Sequence, residues 1–285
     1  MALGPLADRL WIPAVAGFGA LHALVGTLAR IEHPAARLAA PAVFGAGLLF
    51  AWEALVRGLD IPLVLLPAPS HIAGAFAANT SILWADFQQT FLRGVLIGYG
   101  IGVSAAVLTA LAIDRSPFLQ RGLLPVGNFV AALPIIGIAP IMVMWFGFDW
   151  PSKAAVVVVM VFFPMLVNTV EGLKAASAMQ LDLMRTYAAG WGQTLIKLRL
   201  PAAAPFLFNG LKISSTLALI GAIVAEFFGT PTVGMGFRIS TEVGRMNLDM
   251  VWAEITVAAL AGSAFYGAIA LVERALTFWH PSQRQ

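Results

Sequence analysis

The sequence predicts an all-α, polytopic membrane protein, with six core spans and a seventh span at the N-terminus. Three observations predict it. Hydrophobic residues make up 60% of the 285, against about 45–50% in an ordinary globular domain. Charged residues make up only 11%, against about 25%, too few to coat a soluble fold of this size. The apolar runs also reach the roughly 20 residues that a helix needs to cross a hydrocarbon core of about 30 Å. Soluble enzymes, disordered chains and collagen-like chains are excluded. No alternating ten-residue segments suggest a β-barrel.

The spans follow in order. Leu10–Ala29 carries only His22 as an ionisable group. With a basic residue before it and alanines after it, this segment also has a reading as a cleaved signal peptide. Its apolar run exceeds the usual h-region of about 7–15 residues, so a retained span is expected. Leu38–Trp52 continues past Glu53 to Val56, and Gly94–Ile113 and Gly122–Phe148 are uncharged. Ala154–Val170 is rich in β-branched residues, Leu200–Leu211 joins Ile213–Ala225 across Lys212, and Ile255–Val272 closes the set. Residues 1–37 thus form an N-terminal extension, and residues 38–285 the transmembrane domain.

Lys and Arg are biased toward cytoplasmic loops. One side holds Arg30, Arg37, Arg115, Arg121, Lys174, Arg185, Lys197, Arg199, Lys212, Arg274 and Arg284. The other holds only Arg9, Arg57, Arg93, Lys153, Arg238 and Arg245. The first side, with the C-terminus, is expected to be cytoplasmic, and Trp11, Trp52, Trp145, Trp150, Trp252 and Trp279 fall near span ends, as interfacial rings do. The same bias accounts for the net charge of +3, and no basic patch interleaved with aromatics points to nucleic acid. The absence of cysteine excludes a disulfide scaffold and thiolate chemistry.

Two connections are longer than hairpins require. Residues 57–93, outside, contain Leu66-Pro67-Ala68-Pro69-Ser70, with Ser70 as the expected N-cap of a surface helix through Ala78. Residues 171–201, inside, are moderately polar and keep helical periodicity through Leu181, Met184, Tyr187 and Trp191, with Gly190 and Gly192 as a hinge. Such a segment either packs on the protein's own spans or docks a soluble partner.

Within it, Asp182-Leu183-Met184-Arg185-Thr186-Tyr187-Ala188 followed by Leu198-Arg199-Leu200-Pro201 resembles the EAA loop of ABC-importer permeases. That pattern is Glu-Ala-Ala, three residues, Gly, nine residues, then Ile-x-Leu-Pro. The spacing matches throughout. Asp182 stands for Glu, Leu183 and Met184 for the two Ala, Ala188 for Gly and Leu198 for Ile, and Gly190 is expected to restore the flexibility lost at Ala188. The Leu66–Ser70 stretch resembles the Leu-Pro-x-Pro-Ser element of the nitrate/sulfonate/taurine branch. Trp145-Phe146-Gly147, Phe162-Phe163-Pro164, Asn168-Thr169 and Gly172-Leu173 resemble its third and fourth core spans. Ala225-Glu226-Phe227-Phe228-Gly229 with Gly234-x-Gly236 resembles its outer loop between the last two spans. The wording Asp-Leu-Met-Arg-Thr-Tyr-Ala-Ala, through Ala189, is most similar to permeases for thiamine-pyrimidine precursors or riboflavin.

The resemblance implies the type I ABC-importer permease fold and a multi-pass protein of the bacterial inner membrane, paired with a second copy of itself. It implies two cytoplasmic ATPase subunits, which carry the ATP and Mg, and a periplasmic binding protein that delivers the solute, either a thiamine-pyrimidine precursor or similar small aromatic vitamin, or a sulfonate-, nitrate- or taurine-type anion. No Gly-x4-Gly-Lys-Ser/Thr loop occurs in this chain, so no cofactor of its own is expected. Asp182–Gln193 would occupy the ATPase groove, with Tyr187 and Trp191 as aromatic anchors, and Gly94, Gly98, Gly100 and Gly102 fit close helix packing.

Candidates for the solute pathway are Asn128, Pro134, Gly137, Pro140, Ser214 and Glu226. Broken backbone at membrane depth lines a cavity or is covered by protein, but the prolines also read as structural kinks. Asn128, Asn168, Ser214 and Ser215 read more simply as partners of neighbouring helices. Glu226 and Glu254 are expected to be exposed at the outer interface, Glu53 to pair with Arg57, and Lys212 to snorkel. The alternative is an ion-gradient-driven secondary transporter, which would show inverted repeats and paired buried charges; neither is visible. A channel filter or a His-Glu-x-x-His enzyme site is not visible either.

Overall fold

The computed structural model describes residues 26–27, 34–116, 118, 122, 134–229 and 233–279. Among these, five helices are long and apolar enough to cross a membrane. They lie in α1 (Pro34–Gly58), α3 (Thr80–Arg115), α5 (Trp150–Leu173), α7 (Trp191–Glu226) and α9 (Leu248–Leu276). The others are α2 (Pro69–Ala78), the apolar α4 (Ile135–Phe146), α6 (Ala178–Thr186) and α8 (Met235–Gly244). The predicted span Leu10–Ala29 lies outside the described residues apart from Gly26 and Thr27, as do residues 123–133 of Gly122–Phe148. The helical spans run longer than the apolar runs. Residues 80–93, read as loop, are the first turns of α3.

The chain divides into two compact units, Met1–Thr80 with Glu242–Ala253, and Ser81–Thr241 with Glu254–Gln285. In the second unit α5 is central, and α3, α4 and α7 pack on it. Its core joins Phe91 and Val95 with Val157 and Val161, Ala218 and Ala222, and Ala258 and Ala261. Small residues four apart on one face of α3 let α5 approach. A Cβ on Gly98 would lie 2.6 Å from the Ala154 carbonyl oxygen, and one on Gly102 would lie 3.2 Å from Val158 backbone. Ala106 and Ala110, both fully buried, continue that face. Gly100, grouped with these glycines from sequence, points into open space.

Two spans contain wide, π-helical turns: Gln88–Val95 in α3 and Leu195–Arg199 in α7. The second directly precedes Pro201, which has no N–H to give Lys197 and whose ring would crowd that carbonyl in a regular α turn. Widening the turn there keeps α7 continuous.

In the first unit, Pro69 starts α2 and Ala68, not Ser70, is the N-cap. Ser70 has a different task. Its N–H donates to Glu53 Oε2 at 2.9 Å and its hydroxyl to Glu53 Oε1 at 2.7 Å. Arg57 donates to the same Glu53 carboxylate at 2.5 Å and to Ser70 Oγ at 2.9 Å. The expected Glu53–Arg57 pair is present, and it also fastens α2, whose N-terminus attracts a carboxylate, to α1. Trp52 and Trp252 meet edge to face at 5.0 Å.

Candidate functional site

The loop between α5 and α7 is built by local capping. Ser177 Oγ accepts the Gln180 N–H at 3.3 Å, and the Gln180 side chain accepts the Ser177 N–H at 3.0 Å. This reciprocal box starts α6 cleanly. The helix ends in a Schellman motif, in which Ala188 N–H donates to the Arg185 carbonyl at 2.9 Å and Ala189 N–H to the Met184 carbonyl at 3.0 Å. That closure needs a left-handed residue at Ala188, which adopts φ 53°, and the position favours glycine. Gly190 does not supply the missing freedom, because it is extended at φ −67° and serves as the N-cap of Trp191–Thr194. On α6, Asp182 pairs with Arg185 at 2.9 Å in solvent. Met179 is 82% exposed and Tyr187 76%; Leu183 is exposed and Met184 partly buried.

Trp191 is held by its own chain. Its indole N–H donates to Asp114 Oδ2 at 3.2 Å, and the Arg115 guanidinium lies 4.0 Å over its ring. Arg199 forks onto Asp114 at 2.7 and 2.5 Å and donates its Nε–H to the Leu173 carbonyl at 3.0 Å. The ends of α3 and α5 and the start of α7 therefore meet at one guanidinium, just ahead of Pro201. Asp114 was not singled out from sequence. A lone Asp at a span end reads as interfacial, and only the fold brings Arg199 to it.

At the opposite ends of these helices lies a buried polar clamp. Thr90 Oγ1 donates to Glu226 and accepts the Met235 N–H at 2.8 Å, and Gly236 N–H donates to Glu226 Oε2 at 2.7 Å. Asp86 accepts the Gly234 N–H at 2.6 Å and Arg238 Nε–H at 2.9 Å. Glu226 and Glu254 are 2% and 0% exposed, so the expectation of interfacial exposure is overturned. The backbone at Gly234–Gly236 comes back onto Glu226. Lys153, read as a loop lysine, is buried in α5 and donates to the carbonyls of Phe148 and Gly229. Gly234-x-Gly236 was the sequence signal for this arrangement. Gly234 has φ 143°, and a Cβ on Gly236 would meet the Ile223 carbonyl oxygen at 2.2 Å. Beside the clamp, Asp149 accepts the Trp150 N–H at 2.7 Å and the Gln89 amide at 3.1 Å. These bonds, the backbone one first, hold its carboxyl below the ordinary carboxylate range.

Among the described residues, the pathway candidates do not share a face. Asn128 lies outside the described residues. Pro134 and Gly137 are exposed at the start of α4 and Pro140 sits within it. Ser214 is buried, with its hydroxyl toward the Val161 carbonyl at 3.4 Å, and Glu226 belongs to the clamp. Lys212 does not snorkel; it pairs with Glu273 at 2.8 Å. Asn168 caps the Pro164 carbonyl at 2.8 Å and accepts from Asn209 at 3.0 Å.

Residues 98–278 match the family described as binding-protein-dependent transport system inner membrane component. A probable ABC transporter permease protein of Haemophilus influenzae is 31% identical over 66% of this chain and 76% of its own length. The formylaminopyrimidine transport permease protein ThiX of Halalkalibacterium halodurans is 32% identical over 66% and 75%. The riboflavin transport system permease protein RibX of Chloroflexus aurantiacus is 30% identical over 75% and 80%. With apolar helices long enough to span a bilayer and a family match over most of its length, this chain belongs to the inner membrane components of binding-protein-dependent transport systems, as an ABC transporter permease.

Proposed function

We propose that this permease imports a small solute delivered by a periplasmic binding protein, driven by two copies of a cytoplasmic ATPase that carry the ATP and Mg. Two copies of the chain enclose one pathway, with the C-terminus and the α6 loop in the cytoplasm, as the Lys and Arg distribution favours. The solute is a small ring of the thiamine-pyrimidine or flavin kind, since two of the relatives are named for such cargo.

The observation that carries this reading is α6, a capped helix that projects Met179, Leu183 and Tyr187 outward. Apolar side chains of this size on a short polar helix suit a protein groove. Tyr187 is the principal anchor, and Trp191 positions the helix through Asp114. ATPase closure would pull on α6, and Arg199 would pass the movement to α3 and α5.

The test is co-purification of the tagged chain in detergent with candidate ATPase subunits. Wild type is expected to retain an ATPase at one to one, and Met179→Ala with Tyr187→Ala to lose it at least tenfold while eluting as a folded protein. Failure of any ATPase to bind under every nucleotide condition would overturn the reading.

A further inference from the structure

The outward face of α7 carries Phe206, Asn209, Ile213, Thr216 and Ile220, all exposed and spaced by three and four residues. Asn209 stands nine residues beyond Leu200, about 13 Å along the helix. Its Nδ2 donates to Asn168 Oδ1 at 3.0 Å, and the Asn168 amide is otherwise spent on the Pro164 carbonyl at 2.8 Å. Asn209 therefore keeps one N–H and its carbonyl oxygen without a partner among the described residues. An amide with hydrogen-bonding capacity left unmet is unfavourable in hydrocarbon. The stripe is not built for lipid. Nor is it built for tight helix contact, which in membranes uses small residues; here the flanking side chains are Phe and Ile. The small residues of α7, among them Gly210, Ser214 and Ala218, are buried on the other side.

We infer that the Phe206–Ile220 stripe of α7 is the wet lining of the solute pathway, and that Asn209 is its principal polar contact with cargo. The inference deepens the importer reading and rests on it. Mostly apolar walls with a few placed polar groups are what small-ligand sites use. The free N–H and carbonyl of one amide match a neighbouring donor and acceptor on a ring, as Asn does at a base edge. The cargo class is thus an uncharged heteroaromatic ring with an amide edge. Thr216, whose hydroxyl donates to the Ile213 carbonyl at 2.8 Å, adds acceptor capacity two turns further along.

The chain has no cysteine, so single cysteines report cleanly. Asn209→Cys, Thr216→Cys and, as a comparison on the apolar exposed face that α3 forms with Ile97 and Ile101, Leu108→Cys (67% exposed) are placed in the full-length protein. They are labelled with a membrane-impermeant cationic methanethiosulfonate, in both inside-out and right-side-out vesicles. We expect the two stripe positions to react at least tenfold faster than Leu108→Cys from one side. Labelling of Thr216→Cys should slow at least threefold in millimolar uracil and not in taurine. Rates no faster than Leu108→Cys from both sides would overturn the wet lining. So would efficient copper-phenanthroline cross-linking of Asn209→Cys between copies without labelling, which makes the stripe a dimer contact. Equal protection by uracil and taurine, or none, would overturn the cargo class. Labelling requires no ATPase, so its failure is separable from a failed co-purification.

Discussion

Asp114, at the last turn of one span, and Arg199, at the first turns of another, are joined fork to fork at 2.7 and 2.5 Å although 85 residues separate them. Both side chains are largely buried, and the same carboxylate holds the indole of Trp191. Removing one member of such a pair strands the other. Asp114→Ala is expected to destabilise the folded protein by about 3 kcal/mol. Arg199→Lys, which keeps the charge and loses the fork, should recover only part of the stability lost in Arg199→Ala. Thermal unfolding in detergent measures both, and an unchanged Tm in Asp114→Ala would refute the link.

Ala188 takes a backbone conformation that costs a residue with a Cβ about 1–2 kcal/mol. Ala188→Gly should therefore protect the amides of α6 from hydrogen exchange by several-fold. Ala188→Val should do the reverse, because a β-branched residue is worse there. Equal exchange in all three proteins would mean that the Schellman closure does not hold the loop.

Two glycines with opposite surroundings make a matched pair. A Cβ on Gly236 would lie 2.2 Å from a backbone oxygen, whereas one on Gly100 meets nothing within 4 Å. Gly236→Ala is expected to cost at least about 1–3 kcal/mol by overpacking and to lower the yield of folded protein. Gly100→Ala should be neutral or slightly stabilising, since alanine is the better helix former. Size-exclusion profiles and Tm values compare the two directly.

Asp149 gives a pH dependence with a defined sign. Its carboxyl is held below the ordinary value by the Trp150 N–H and Gln89, so the folded state binds its proton less readily than the unfolded chain. Its stabilisation is fully present above about pH 4, the ordinary carboxylate value, and is lost as pH falls through the lowered one. The Tm difference between wild type and Asp149→Ala should shrink below pH 4 and stay constant above pH 5. A difference that persists at pH 3 would count against this cap.

Hydrophobicity made the spans legible because lipid requires long apolar runs, and the spacing of Asp182 to Pro201 located the loop that carries α6. The polar interior was not legible. Glu226, Glu254 and Lys153 sit at the ends of apolar segments, where a charge ordinarily meets water, and only the fold brings the Gly236 N–H to Glu226 and the Phe148 and Gly229 carbonyls to Lys153. Ser70 was misread for a related reason. A serine near a helix start usually caps its own helix, but Pro69 takes the first turn and Glu53 supplies the carboxylate. Asn209 went unnoticed because an amide in a span reads as packing until its exposed face is seen.

The wide turn at Gln88–Val95 sets the phase of α3. It is where the helix changes from offering Asp86 and Thr90 to Arg238 and Glu226 to offering Gly98 and Gly102 to α5. One residue corresponds to about 100° of rotation in an α-helix. Deleting a single residue within that turn would leave the span apolar and long enough for the bilayer, yet turn Asp86 away from its guanidinium while the glycine face stayed in place. The polar clamp at one end of this helix and the glycine packing further along it are thus two gears on one shaft, and the wide turn is the tooth that sets their timing.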